Sequence, residues 1–232
     1  MEHILKTAKI LAESYSLGSR HNDHLIRTSE RALRLVKKAS FPYPRVDGSD
    51  YSIAAGDGAE GGMTPSAFRL LARSVAYLHD ILEDGVRSTH GWDISSGSLG
   101  DELVANTDES HKTVTFFRAV SIIKEAVQIL TRSSDEKRLY YDRHGLGSTY
   151  ANHIIDIAKA PGGPGALARL VKSADLLDHL TRVENINHLV QSGKKKQYER
   201  ALYHLTGASS YRKGKKWVAI PHSSCSVFSR SE

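Results

Sequence analysis

The sequence predicts an all-α protein, on three observations. Apolar residues recur at spacings of three and four over most of its length. Several of these runs open or close on helix signals, such as Thr64-Pro65 and Gly207. Nowhere do strand and helix patterns alternate as a βαβ unit requires, and no internal repeat is present.

Taken in order, residues 2–16 place Ile4, Leu5, Ala8, Leu11 and Ala12 on one face of a first helix. A second helix is predicted over 23–37, with Leu25, Ile26, Leu33 and Val36 apolar and Asn22 or Asp23 as its cap. Residues 39–63 are rich in Gly, Pro, Ser and Asp and read as a long loop insertion. Thr64 then caps a helix with proline at its first position, carrying Phe68, Leu71, Val75, Leu78 and Leu82 before Gly85 stops it. The polar, glycine-bearing stretch 86–112 reads as another loop. Further helices are predicted over 113–131, 148–159, 164–190 and 195–206. This gives one domain over 1–206 and a basic, tail-like segment over 207–232, in which "KWVAI" is a candidate strand.

The bulk numbers describe an ordinary globular chain: 232 residues, 40% apolar and 25% charged. No run of eighteen apolar residues occurs, so no membrane span is expected. The charged start "MEHILKTAKILAESYS" does not read as a secretory signal, and a lone Cys225 fits a reducing, cytoplasmic setting. The net charge of +6 is concentrated in "KKK" at 194–196 and "RKGKK" at 212–216. Such runs attract phosphates, but no aromatic residues are interleaved through them. A solvated face is the stronger reading and nucleic-acid binding the weaker one.

"YLHDILEDG", residues 77–85, sets His79, Asp80, Glu83 and Asp84 among Tyr77, Leu78, Ile81 and Leu82. Charged groups in so apolar a helix need partners, because burying them bare is costly. His79 stands one turn before Glu83, and Asp80 one turn before Asp84. Adjacent imidazole and carboxylate can meet at one divalent ion, but two ligands rarely suffice. Two other helices offer more. His24 opens the helix in "RHNDHLIRTSERALRLV", and Asp175 lies in "ARLVKSADLLDHLTR" among Leu170, Val171, Ala174, Leu176 and Leu177, sharing a face with Asp178, His179 and Arg182. Asp175 then either binds a metal or pairs with Lys172 or Arg182.

His24, His79-Asp80 and Asp175 resemble the H…HD…D signature of the HD-domain metal-dependent phosphohydrolases. "LHDILEDG" is most similar to the HDxxED form of the RelA/SpoT-type alarmone hydrolases, and "VQILTR" and the Tyr150 helix resemble that subgroup too. The resemblance covers roughly residues 1–205 and implies an HD-type helical bundle, with 39–63 inserted between the first two motif helices. It implies one divalent ion, most plausibly Mn²⁺ with Fe, Co, Zn or Mg as alternatives, held by His24, His79, Asp80 and Asp175. It also implies hydrolysis of a nucleotide or another pyrophosphate-bearing small molecule, guanosine tetraphosphate being one candidate. Glu83 and Asp84 become candidate catalytic groups, Glu83 to orient or deprotonate water and Asp84 as an acid partner. Lys172, Arg20, Arg27, Tyr150 and Asp178 are candidate substrate contacts, and Arg31 reads as a surface residue. The alarmone hydrolases carry an Arg-Lys pair before the first histidine, of which this chain has only Arg20. That leaves a second function open, a module that senses a nucleotide without cleaving it. A homo-oligomer is compatible with either reading.

Overall fold

A computed structural model describes residues 1–15, 19–37, 64–84, 98–131, 146–182, 189–206, 210–213 and 216–219, the side chains of 19, 20, 37, 65, 83, 84, 146–149 and the last two segments excepted. The predicted insertion at 39–63 lies outside the described residues, as does most of the tail. The all-α class holds. The helices are α1 (Glu2–Ser14), α2 (Ser19–Lys37), α3 (Pro65–Leu78), α4 (Ile81–Asp84), α5 (Ser98–Ala105), α6 (Val114–Leu130), α7 (Leu146–Lys159), α8 (Gly162–Thr181) and α9 (Lys194–Thr206). A small antiparallel hairpin, β1 (Ser210–Lys213) and β2 (Lys216–Ala219), pairs Tyr211 with Val218. Its second strand falls within "KWVAI". No helix among the described residues is long and apolar enough to cross a membrane.

Local chemistry accounts for most boundaries. Thr64 Oγ1 accepts from the Ala67 amide at 3.2 Å, with Pro65 at the first helical position, as the sequence predicts for α3. Thr113 Oγ1 does the same for the Phe116 amide at the start of α6. Four expectations are corrected. The helix expected to run on to Gly85 is broken by a turn at His79 and Asp80 into α3 and α4, and the helix expected over 164–190 ends at Thr181. The second helix starts at Ser19, so Asn22 and Asp23 lie inside it and cap nothing; packing overrides the weak preference of these residues for helix ends. The supposed loop 86–112 contains α5 and a 3₁₀ turn at Glu109–His111. Only Leu99 and Leu103 are buried on α5, too few apolar positions to announce a helix.

α8 is the central helix. It packs on α2, α3, α6, α7 and α9, and Leu167, Leu170, Val171, Ala174 and Leu176 are all fully or nearly fully buried. A helix apolar on nearly every side must be surrounded by others. α3 is the second hub, contacting α1, α2, α6 and α8. With α2 against both, three helices meet along one seam, and the polar residues of that seam form the candidate site.

α8 starts in a tight corner after α7. Gly162 takes φ 65, a left-handed conformation that glycine adopts without strain. Arg169 donates to the carbonyls of Ala158 and Ala160, which α7 leaves unsatisfied at its end. Gly165 is pressed on the same carbonyl: a Cβ there would stand 2.1 Å from the Ala160 oxygen. Gly165→Ala is therefore expected to destabilise by about 2 kcal/mol or more, since backbone cannot yield as a side chain can. Gly100→Ala on α5 is the contrast, because its Cβ would meet only side chains at 3.5 and 3.8 Å. It is expected to be neutral or to stabilise by up to about 1 kcal/mol. Chemical denaturation of the two variants beside the parent chain checks both.

Candidate metal centre

His24 is brought to the seam by the buried face of α2, where Leu25, Thr28 and Ser29 are nearly or fully buried. Its ring is held from behind. Nδ1 lies 3.0 Å from Asp178 Oδ2 on α8, and a carboxylate can only accept, so Nδ1 is the donor. Asp178 is fully buried and also accepts from Arg27 Nε at 3.1 Å and Arg31 Nε at 3.2 Å. Arg31 goes on to donate to Thr181 Oγ1 at 2.6 Å. Burial opposes the charge on Asp178, yet His24 and Arg27 hold its carboxyl well below the usual range.

His79 closes α3, where the chain makes a turn through Asp80 before α4. Its Nδ1 donates to the Ala76 carbonyl at 2.8 Å. Nε2 is thereby left with its lone pair, and this atom is buried without a hydrogen-bond partner among the described residues. Asp80 Oδ2 stands 3.1 Å from it and Asp175 Oδ1 4.0 Å. His24 Nε2 is 3.3 Å from the same Asp175 oxygen and 3.9 Å from Asp80 Oδ2. His24, His79 and Asp80 thus form one group able to hold an ion, and Asp175 Oδ1 stands beside both rings.

With both rings neutral, such an arrangement repels itself unless positive charge sits in the middle. Ligand atoms about 2.0–2.2 Å from one ion stand about 3–4 Å from one another. The separations of His24 and His79 from Asp80 fall in or at that range, so these three residues fit a divalent ion. In both rings the far nitrogen is committed to a protein acceptor, which sets the tautomer a metal needs. Mixed nitrogen and oxygen donors without thiolate suit Mn, Fe, Co or Zn.

Without an ion, protons take its place. Burial opposes the charge on His24, but hydrogen bonds to Asp175 and Asp178 lift its pKa to about 9. His79 is raised too, burial being outweighed by Asp80. Burial resists ionisation of Asp80, yet the His79 ring holds its carboxyl down to about 2. Asp175 lies well below the carboxylate range, burial being overcome by Lys172, His179 and His24. A divalent ion and the imidazole protons would compete for the same lone pairs.

The other sequence candidates fall unevenly. Lys172 Nζ is 2.7 Å from Asp175 Oδ2, so it neutralises a candidate ligand, the pairing the sequence left open. Asp178 and Arg27 are together behind His24; Asp178, expected as a substrate contact, accepts from that ring and from Arg27. Arg31, read as a surface residue, belongs to the same network because α8 covers it. Tyr150 is half-buried on α7 with its ring 6.0 Å from Tyr198. Glu83 and Asp84 stand on α4, and their side chains, like that of Arg20, lie outside the described residues. His179 has no role in the sequence reading beyond sharing a face with Asp175. Its Nε2 is 3.2 Å from Asp175 Oδ1, and His24, Asp175 and His179 form a second group able to hold an ion. The signal was its position one turn after Asp175.

Removing Asp178 leaves two arginines and the His24 ring without their common acceptor. Asp178→Ala is expected to destabilise by about 3 kcal/mol, the lower end for breaking a buried pair, since both arginines still reach water. Urea unfolding measures it; a loss below about 1 kcal/mol would mean the network does not brace the seam. No known family model, curated protein or solved structure matches this chain.

Proposed function

We propose that this protein is a metal-dependent phosphohydrolase of the HD-domain type, acting on a nucleotide or another pyrophosphate-bearing small molecule. The single observation that carries the reading is the meeting of His24, His79 and Asp80 in one group able to hold an ion, with Asp175 Oδ1 beside both rings. His24, His79, Asp80 and Asp175 would hold the ion, Mn²⁺ being the first choice. When bound, a divalent ion supplies charge for a phosphoryl oxygen and acidifies a water. The chain's own residues do the rest. Asp178 and the Ala76 carbonyl aim the two rings, and Lys172 offsets one carboxylate so that the site does not carry two uncompensated charges. Glu83, one turn after His79, is the proposed base for the attacking water, with Asp84 its acid partner. Arg20 and Tyr150 are proposed on the substrate side.

A panel of nucleotides including guanosine tetraphosphate, incubated with Mn²⁺, tests the activity by phosphate and pyrophosphate release. His79→Ala and Asp175→Ala are expected to abolish turnover, and unchanged rates in both would overturn the metal assignment. Asp178→Asn keeps the shape but removes the charge behind His24. It is expected to weaken Mn²⁺ binding by about 10- to 100-fold in calorimetry, the usual effect of losing a ligand's support.

One observation favours the second reading, nucleotide sensing without cleavage: Asp175 is already paired with Lys172 and near His179. Tight nucleotide binding with no product after prolonged incubation in Mn²⁺ would select it.

A further inference from the structure

α7 and α9 do not close on each other completely. Between them lies a cleft of about 540 Å³. One wall is α7, with Tyr150, Ile154 and Ile155. The other is α9, where Lys196, Arg200 and His204 line the cleft at successive turns of one helix face. All three are exposed, and none has an ion-pair or hydrogen-bond partner among the described residues. An apolar floor facing a row of unpaired nitrogen donors suits a flat, hydrophobic body carrying an anion.

The cleft joins the candidate metal centre through a row of rings. His24 lies 5.0 Å from His179, His179 5.6 Å from Tyr198, and Tyr198 6.0 Å from Tyr150 at the edge of the cleft. We propose that this cleft is a binding subsite for a nucleoside phosphate, its ring against α7 and its phosphate on Lys196, Arg200 and His204. The "KKK" run then has a defined task for its last lysine, distinct from a solvated face. The direction of the ligand, one end here and one at the metal centre, rests on the hydrolase reading; the subsite does not.

The test uses the full chain and guanosine diphosphate as probe, with binding measured calorimetrically in EDTA and in Mn²⁺. The double variant Lys196→Ala/Arg200→Ala removes exposed groups only and is expected to leave melting temperature and Mn²⁺ affinity unchanged. Its affinity for guanosine diphosphate is expected to fall about tenfold or more, as for lost charged hydrogen bonds, and a fall below about threefold overturns the subsite. Binding of a single-stranded oligonucleotide that is tighter than the diphosphate, and lost in the same variant, would overturn the small-molecule assignment. His79→Ala separates the two readings. If it keeps Mn²⁺ affinity while the double variant still loses nucleotide, the metal centre fails and the subsite stands.

Discussion

The interaction on which the rest depends is the acceptance of His24 Nδ1 by Asp178. It joins α2 to α8 across residues 154 apart in sequence, at a carboxylate with no exposure to water. Arg27 and Arg31 make it affordable, because a buried carboxylate without cations would sooner be protonated than stay charged. Once it is made, the His24 ring cannot turn, and Nε2 must face Asp80 and Asp175. The register of α2 on α8 and the direction of one imidazole lone pair are therefore a single choice.

The opposite side of the seam obeys a similar constraint by a different device. His79 ends α3, and its Nδ1 takes the carbonyl three residues back, so a helix terminus rather than a charged partner aims the ring. Asp80 follows in the turn, its place set by the break between α3 and α4. The break matters, since a continuous helix would aim residue 80 about 100° around the axis from 79. Asp175 completes the set from the most buried helix, which is why it needs Lys172 within its own turn.

How much of this was legible depended on range. Thr64-Pro65 announced α3 because a cap and a proline act on their nearest neighbours. α5 was missed because two leucines in eight residues are no pattern until α6 covers them. Asn22 and Asp23 misled for the same reason: they favour helix ends locally, and the packing of α2 on α3 and α8 outweighed that. Of the candidate site, His24, His79, Asp80 and Asp175 could be picked out as polar groups in apolar runs. Arg31 and Asp178 could not be assigned, since a charged residue looks the same in sequence whether it meets solvent or a buried partner.

By itself, then, the sequence determined the helical class, most helix boundaries and the four polar residues that an apolar core could not leave unpartnered. These follow from periodicity, capping and desolvation, all of which act within a few residues. Tertiary structure alone decided that His24, His79 and Asp80 form one group with Asp175 beside it, that Asp178 stands behind His24 rather than in front of it, and that His179 joins His24 and Asp175. Each of those is a contact between distant parts of the chain or a matter of burial. No spacing encodes which side of a helix its neighbours will cover.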